Sequence, residues 1–171
     1  GPGCSAALDA CLFLGNSAAG GHAGGHSWGG SGRGGAVWNG GGLQSQDSTF
    51  SRNTAVGADG AYSGNEPYGL GRGGAVYSTN RLCLTGCTLQ NNLAMGGEGS
   101  FPYGTSQVGE GGAVWSSGLL SATNSTWTTN SAVDGQGMPS QLPACGGGLC
   151  NTGGAATLVN QTFSGNRAVN Y

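Results

Sequence analysis

The sequence predicts an all-β protein, a parallel β-helix of about four to five coils with long loops from one corner. The first reason is composition, since 39 of the 171 residues are Gly, while Leu, Val and Phe together number 26 and Ile is absent. So few large aliphatic side chains cannot fill an ordinary globular core. In a solenoid each coil buries its apolar face on its neighbours, so a thin core is enough.

The second reason is an internal repeat of 36 to 39 residues. The motif Gly-Gly-Ala-Val followed by an aromatic residue begins at Gly34, Gly73 and Gly111, and a weaker Gly-Gly-Leu copy begins at Gly147. A large apolar residue stands 16 positions after each first Gly, an Asn follows three positions later, and an Ala two positions after that. Self-similarity at a fixed period of this size is typical of solenoids.

The repeat divides the chain into one domain, 1–171, with coils near 4–33, 34–72, 73–110, 111–146 and 147–171. About 23 residues of each copy keep a constant length and contain short apolar stretches of period two, which predict strands. The remainder varies in length and is rich in Gly, Ser, Pro and Tyr, which is typical of loops. The domain is expected to be a fragment of a longer solenoid or a subunit that stacks.

Two columns of side chains follow from the repeat. The large apolar residues are expected to form an inward core ladder of Phe13, Phe50, Leu89, Trp127 and Phe163. The Asn residues are expected to bond between coils at a corner, as a ladder of Asn16, Asn53, Asn92, Asn130 and Asn166. Both columns are interpreted as structural.

The combination of Gly-Gly-Ala-Val and Phe-x-x-Asn resembles the repeats of polymorphic outer-membrane proteins, which belong with pectin-lyase-like solenoids. The resemblance covers four copies and a partial one, with Leu89 and Trp127 in place of the family's Phe. It implies a right-handed parallel β-helix on a cell surface, with an adhesive or structural role. The chain departs from the family in containing no membrane barrel, so the resemblance does not imply autotransport.

Six Cys fall into three close pairs, Cys4/Cys11, Cys83/Cys87 and Cys145/Cys150. An even count at such spacings favours three local disulfides and an oxidising compartment. A zinc site is the alternative, but His22 and His26 are not accompanied by a Cys-x-x-Cys pair. We expect the chain to bind no metal and no cofactor.

Two sequons, at Asn124 and Asn160, each lie three residues before a core aromatic residue. They should therefore share an outer face one coil apart. Glycosylation is one interpretation, and chance in a chain rich in Asn, Ser and Thr is the other.

Several function classes are disfavoured by the sequence. Five scattered Arg and no Lys give no nucleic-acid footprint, and no apolar run approaches the 18 residues of a membrane span. An enzyme of the polysaccharide lyase or hydrolase type would need clustered carboxylates. The loop acids are expected to share one edge, but no carboxylate recurs in register over three coils; these acids are Asp59, Glu66, Glu98, Glu110 and Asp134. The sequence therefore favours a role without catalysis.

Loop aromatics are the candidate ligand-binding residues. A ridge of loops from one corner would carry rings suited to sugar or protein contacts, at Trp28, Tyr62, Tyr68, Phe101 and Tyr103. A second aromatic column, Trp38, Tyr77 and Trp115, follows Ala-Val in each repeat, and strand alternation alone does not decide whether it faces in or out. Packing of the loop rings onto the coil is the alternative.

A third surface is the outward column beside the core ladder, which reads Thr49, Thr88, Thr126 and Thr162. A regular Thr array on a solenoid is a pattern of ice-binding proteins, although Thr is also a good strand former.

The sequence thus predicts an extracellular or cell-surface structural and adhesive solenoid. Its expected partners are itself, by head-to-tail stacking, or adjoining coils, together with a polysaccharide or other cell-surface ligand. A carbohydrate-binding module and an ice-binding solenoid are the alternatives.

Overall fold

The computed structural model describes residues 4–22, 29–59, 69–99, 106–136 and 143–171. These ranges contain 22 short strands and no helix, and every strand pair in them is parallel. The strands stack as a β-solenoid of about four turns, which confirms the predicted all-β parallel class. Along each turn the chain passes through five sheets, here called A to E in the order A, B, C, D, E.

Sheets A, B and C have five strands each. Sheet A consists of β1 Ser5–Asp9, β6 Gly42–Gln46, β11 Arg81–Thr85, β16 Leu120–Thr123 and β20 Ala156–Val159. Sheet B consists of β2 Leu12–Leu14, β7 Thr49–Ser51, β12 Thr88–Gln90, β17 Thr126–Thr128 and β21 Thr162–Ser164. Sheet C consists of β3 Ser17–Ala19, β8 Thr54–Val56, β13 Leu93–Met95, β18 Ser131–Val133 and β22 Arg167–Val169.

Sheets D and E are narrower. Sheet D consists of β4 Gly32–Arg33, β9 Gly71–Arg72 and β14 Gly109–Glu110. Sheet E consists of β5 Val37–Asn39, β10 Val76–Ser78, β15 Val114–Ser116 and β19 Leu149–Asn151. The four variable segments of the sequence all lie after a strand of sheet C, so they leave the coil at one corner, as predicted.

The interior is filled by side chains that repeat from layer to layer. Phe50, Leu89 and Trp127 are fully buried and directly opposite one another in sheet B. Phe13 stacks on Phe50 with ring centroids 4.8 Å apart, and Phe163 stacks on Trp127 at 5.4 Å. The predicted core ladder therefore forms in the expected order, although the outermost ring, Phe163, is 46% exposed.

The two positions of each Gly-Gly pair require Gly for different physical reasons. The first Gly of the pair turns the corner between sheets D and E with a positive φ, which is 63° at Gly73. The second Gly passes so close to the next layer that a Cβ on Gly74 would lie 2.1 Å from the carbonyl oxygen of Gly112. The other two tight corners use mostly non-Gly residues, and every non-Gly positive φ in the described ranges occurs there.

The fourth copy of the repeat begins one residue earlier than the sequence pattern suggested. Leu149 pairs with Val114 and Phe163 with Trp127, so Gly146, not Gly147, occupies the D–E corner. One extra residue lies between β19 and β20, where Gly154 adopts a φ of 72°. The constant spacing expected for this copy is therefore wrong by one residue.

Candidate functional site

The Asn ladder runs along the corner between sheets B and C through all five layers. Each side-chain amide donates through Nδ2 to the Oδ1 of the Asn in the next layer, with N–O distances of 2.8 to 3.0 Å. Each Oδ1 that receives this bond also accepts the backbone N–H of the same preceding Asn. The second Nδ2 hydrogen donates back to a carbonyl of the preceding layer, as Asn92 does to Phe50.

All the bonds that the Oδ1 atoms of the ladder accept point in one direction, so its two ends differ. In the described residues, the Oδ1 of Asn16 accepts no hydrogen bond, and the backbone N–H of Asn166 donates none. One end of the ladder thus offers an acceptor, and the other offers donors.

The second aromatic column lies on the outer face of sheet E. Val76 and Val114 are fully buried in the main core. The aromatic residue that follows each Val along the strand therefore points to the opposite face. Tyr77 stacks on Trp115 with centroids 4.6 Å apart and on Trp38 at 6.3 Å. Tyr77 and Trp115 form a small cluster with Cys150 and are 6% exposed, whereas Trp38 is 58% exposed.

Two Arg side chains from sheet D cover this column. The Cζ of Arg33 lies 5.5 Å from the centroid of Tyr77, and that of Arg72 lies 4.9 Å from the centroid of Trp115, both within the range of cation–π contacts. Arg72 also pairs with Glu110, its neighbour in sheet D. Arg33 is exposed and makes no ion pair with any carboxylate in the part of the chain that is described.

A groove of about 510 Å³ opens beside Trp38. Its lining includes Trp38, Gly40, Gly42, Ser5 and Thr79. The indole lies against Gly40, where a Cβ would come within 2.5 Å of Cζ3 of the ring. The Gly at this position therefore determines where the ring rests.

The Thr column forms on the outer face of sheet B. Thr49, Thr88, Thr126 and Thr162 stand directly opposite one another in four consecutive strands. The first strand of the sheet departs from the pattern, because Leu12 occupies the position. The companion column is mixed and reads Leu14, Ser51, Gln90, Thr128 and Ser164.

Both sequons lie at the corner between sheets A and B. Asn124 and Asn160 are exposed, have φ values of 52° and 51°, and lie in adjacent layers. Nδ2 of Asn160 donates to Oδ1 of Asn124 at 3.1 Å. The two Asn thus share one outer face, as the sequence pattern indicated.

Of the three expected disulfides, one is present, between Cys145 and Cys150. The pairings Cys4/Cys11 and Cys83/Cys87 are wrong, since all four thiols are free. Cys83 alternates with two buried Leu on β11 and therefore faces outward, while Cys87 is buried and its Sγ contacts the carbonyl of Ser45 at 3.3 Å. Cys83 raises the pKa of the Arg81 guanidinium through a side-chain hydrogen bond.

Four of the loop acids lie in the described ranges, and three of them, Asp59, Glu98 and Asp134, follow strands of sheet C at the expected shared corner. Asp59 accepts a hydrogen bond from the backbone N–H of Glu98 at 2.8 Å, so these residues are neighbours in adjacent layers. Glu110 instead lies on sheet D with Arg72, and Asp134 is buried. Glu66 lies outside the described residues, as do the five candidate loop aromatics Trp28, Tyr62, Tyr68, Phe101 and Tyr103, and also His26.

Within the described ranges, no group of three or more His, Cys, Asp and Glu residues is arranged to hold a metal ion. The same ranges contain no helix long and apolar enough to cross a membrane. Comparison of the chain with protein-family models, curated proteins and solved structures finds no match. The resemblance to polymorphic outer-membrane proteins therefore rests on the repeat motif alone.

The sequence analysis named the aromatic column of sheet E but missed the two Arg of sheet D that lie over it. A signal was present, because Arg stands five positions before the ring in two repeats, at Arg33 and Arg72, and Glu110 takes that place in the third. The pairing of Arg72 with Glu110 follows from this register. Trp38 is the most exposed of the three rings because β5 is the edge strand of sheet E, whereas Tyr77 and Trp115 lie on inner strands.

Proposed function

We propose that the chain is a structural and adhesive β-solenoid of an extracellular or cell-surface layer, without catalytic activity, and that it stacks head to tail on a second copy. The observation that carries the proposal is the one-way Asn ladder with complementary ends. A second copy placed with its Asn16 layer on the Asn166 layer would continue every bond of the ladder, with Nδ2 and N–H of Asn166 donating to Oδ1 of Asn16.

The side chains at the two outer layers support the same junction. Leu158 and Phe163 belong to interior columns but are 42% and 46% exposed. Their counterparts in the first layer are Leu8 and Phe13, which are only partly buried. Stacking the two layers would bury Phe163 against Phe13, and each buried large apolar side chain contributes about 1.5–3 kcal/mol.

The free backbone edges of β20, β21 and β22 favour parallel addition of strands. These strands bond to the preceding layer on one side only, in the described part of the chain. A row of unpaired N–H and C=O groups is a template for pairing with another chain. A junction that does not close on itself produces a filament.

The assembly is tested by electron microscopy and light scattering over a concentration series. We expect filaments whose subunit repeat is five layers, about 24 Å at the spacing between strands. Phe163→Asp should abolish them. Leu119→Asp introduces the same charge at an apolar side chain that is 56% exposed on the lateral surface, and it should leave the filaments intact. A monomer at every concentration, or equal effects of the two substitutions, would overturn head-to-tail stacking.

The extracellular location is supported by the Cys145–Cys150 disulfide, since disulfides persist mainly in oxidising compartments. The exposed sequons at Asn124 and Asn160 are proposed as glycan attachment positions. Detection of the native protein in intact cells, by an antibody that does not enter them, tests the location. Labelling that requires permeabilised cells would contradict it.

A second candidate function, ice binding, is favoured by the register of the Thr column in sheet B. Neighbouring Thr in this column are separated by about 4.8 Å, the distance between adjacent strands. The test is thermal hysteresis of the purified chain, with Thr126→Tyr as the variant and Thr152→Tyr, at an exposed position outside sheet B, as the control. Absence of hysteresis in the unmodified chain would eliminate this candidate.

A further inference from the structure

Two Arg side chains from sheet D lie over the outer face of sheet E, in different charge environments. Both lie over a ring of the aromatic column, but Glu110 neutralises Arg72 and no described carboxylate pairs with Arg33. Arg33 is also exposed, whereas Arg72 is half-buried. Among the described residues, Arg33 therefore presents a guanidinium without a carboxylate partner, in contact with the ring of Tyr77.

Trp38 presents an open aromatic surface next to this charge. Trp38 and Arg33 both lie against Tyr77, at 6.3 Å and 5.5 Å from its centroid, so they are neighbours on this face. The indole is 58% exposed and borders the groove of about 510 Å³, whereas Arg33 lies outside the lining of that groove, over Tyr77. A volume of this size lies within the range of small-ligand pockets, roughly 300–1,000 Å³.

The chemistry of the groove limits the ligand. The negative face of an indole attracts the weakly positive C–H face of a pyranose ring. Ser5 and Thr79 also line this groove, and hydroxyl groups of Ser and Thr can exchange hydrogen bonds with sugar hydroxyls. A guanidinium binds carboxylate and sulfate oxygens through two parallel N–H groups.

We propose that this face binds an anionic saccharide, with one sugar ring on Trp38 and its carboxylate or sulfate on Arg33. The site lies within one copy of the chain, so it does not require the stacked assembly. It is also separate from the loop aromatics, and it gives the adhesive function a ligand class.

The test is calorimetric titration of the full chain, at a concentration where it is monomeric, with three probes. These are an oligosaccharide of glucuronic acid, a sulfated dextran oligosaccharide and the same dextran without sulfate. We expect binding of at least one anionic probe and at least tenfold weaker binding of the neutral one. The carboxylate and sulfate arms distinguish which anion Arg33 recognises.

Single substitutions distinguish specific contacts of the saccharide with Arg33 and Trp38 from nonspecific attraction to positive charge. Arg33→Gln and Trp38→Ala should each weaken binding at least tenfold, and Trp38→Phe should retain most of the affinity because a ring remains. Arg52→Gln removes the same charge from an exposed position at the corner between sheets B and C, and should change binding less than twofold. Circular dichroism of each variant verifies that the solenoid is intact.

Three results would overturn the proposal: no binding of either anionic probe, equal binding of the neutral dextran, or equal losses in Arg33→Gln and Arg52→Gln. The first would leave stacking untouched, and failure to stack would leave the titration untouched, so the two proposals fail independently.

Discussion

Asn53 donates its side-chain Nδ2 to the Oδ1 of Asn92 across 3.0 Å, and its backbone N–H to the same oxygen. Both residues are buried, so these bonds replace the water that the amides lose on folding. An unpaired buried polar group costs about 1–3 kcal/mol. The ladder is therefore required for the stability of the fold.

Asn92→Ala should lower the free energy of unfolding by at least about 3 kcal/mol, because it leaves the buried backbone N–H of Asn53 without its acceptor. It also removes one hydrogen bond each from Nδ2 of Asn53 and the carbonyl of Phe50. Urea denaturation followed by circular dichroism measures the change. The control is Asn91→Gly at the neighbouring exposed corner, which should change the free energy by less than about 1 kcal/mol. Similar losses in the two variants would contradict a stabilising role for the ladder.

Gly74→Ala should destabilise the solenoid by more than about 3 kcal/mol, since its Cβ would overlap the backbone of both neighbouring segments, at Gly112 and Leu93. Gly42→Ala is the matched control on β6, because its Cβ would meet only the Cβ of Ser5 at 3.5 Å. We expect that control to be neutral or stabilising by up to about 1 kcal/mol. Thermal and urea denaturation of both variants measure the change in the free energy of unfolding. An unchanged value for Gly74→Ala would show that the layers separate easily.

The cysteines should react in three groups. Cys4, Cys11 and Cys83 are accessible and free, so they should be alkylated in the native protein. Cys87 is buried and should react only after unfolding, and Cys145 and Cys150 only after reduction. Peptide mass spectrometry after stepwise alkylation reads all three groups. A Cys83–Cys87 link in the native protein would contradict the outward and inward orientations of these side chains.

Secretion from a host that N-glycosylates should add glycans at the exposed corner of Asn124 and Asn160. Intact mass before and after enzymatic deglycosylation measures occupancy. Thr126→Ala and Thr162→Ala each remove one sequon while keeping the Asn, so each should eliminate one site. An unmodified mass, in cells that glycosylate a reporter protein, would refute this prediction.

Much of the fold could be predicted because the spacing of the repeat determines which residues align in neighbouring layers. The fixed spacing from the Gly pair to the core aromatic and the Asn determines which side chains meet, and Phe50, Leu89 and Trp127 meet as expected. The error at Gly146 arose because an insertion at one corner is invisible when the neighbouring residue is also Gly.

The site was less predictable, for physical reasons. The orientation of Trp38 and Tyr77 depends on which side of β5 and β10 faces the core, and period two alone permits both. The burial of Val76 decides it. The disulfides failed as predictions because closeness in sequence does not fix direction, and Cys83 and Cys87 point to opposite faces of the coil.

The contacts of the Asn ladder are amides, and those of the core ladder are rings and aliphatic groups. None of these groups gains or loses a proton between mildly acidic and mildly alkaline conditions, and dissolved salt has little free charge to screen between the layers. The cohesion of the solenoid should therefore be nearly independent of acidity and of salinity. A solenoid whose layers were held together mainly by ion pairs would instead lose cohesion as salt was added.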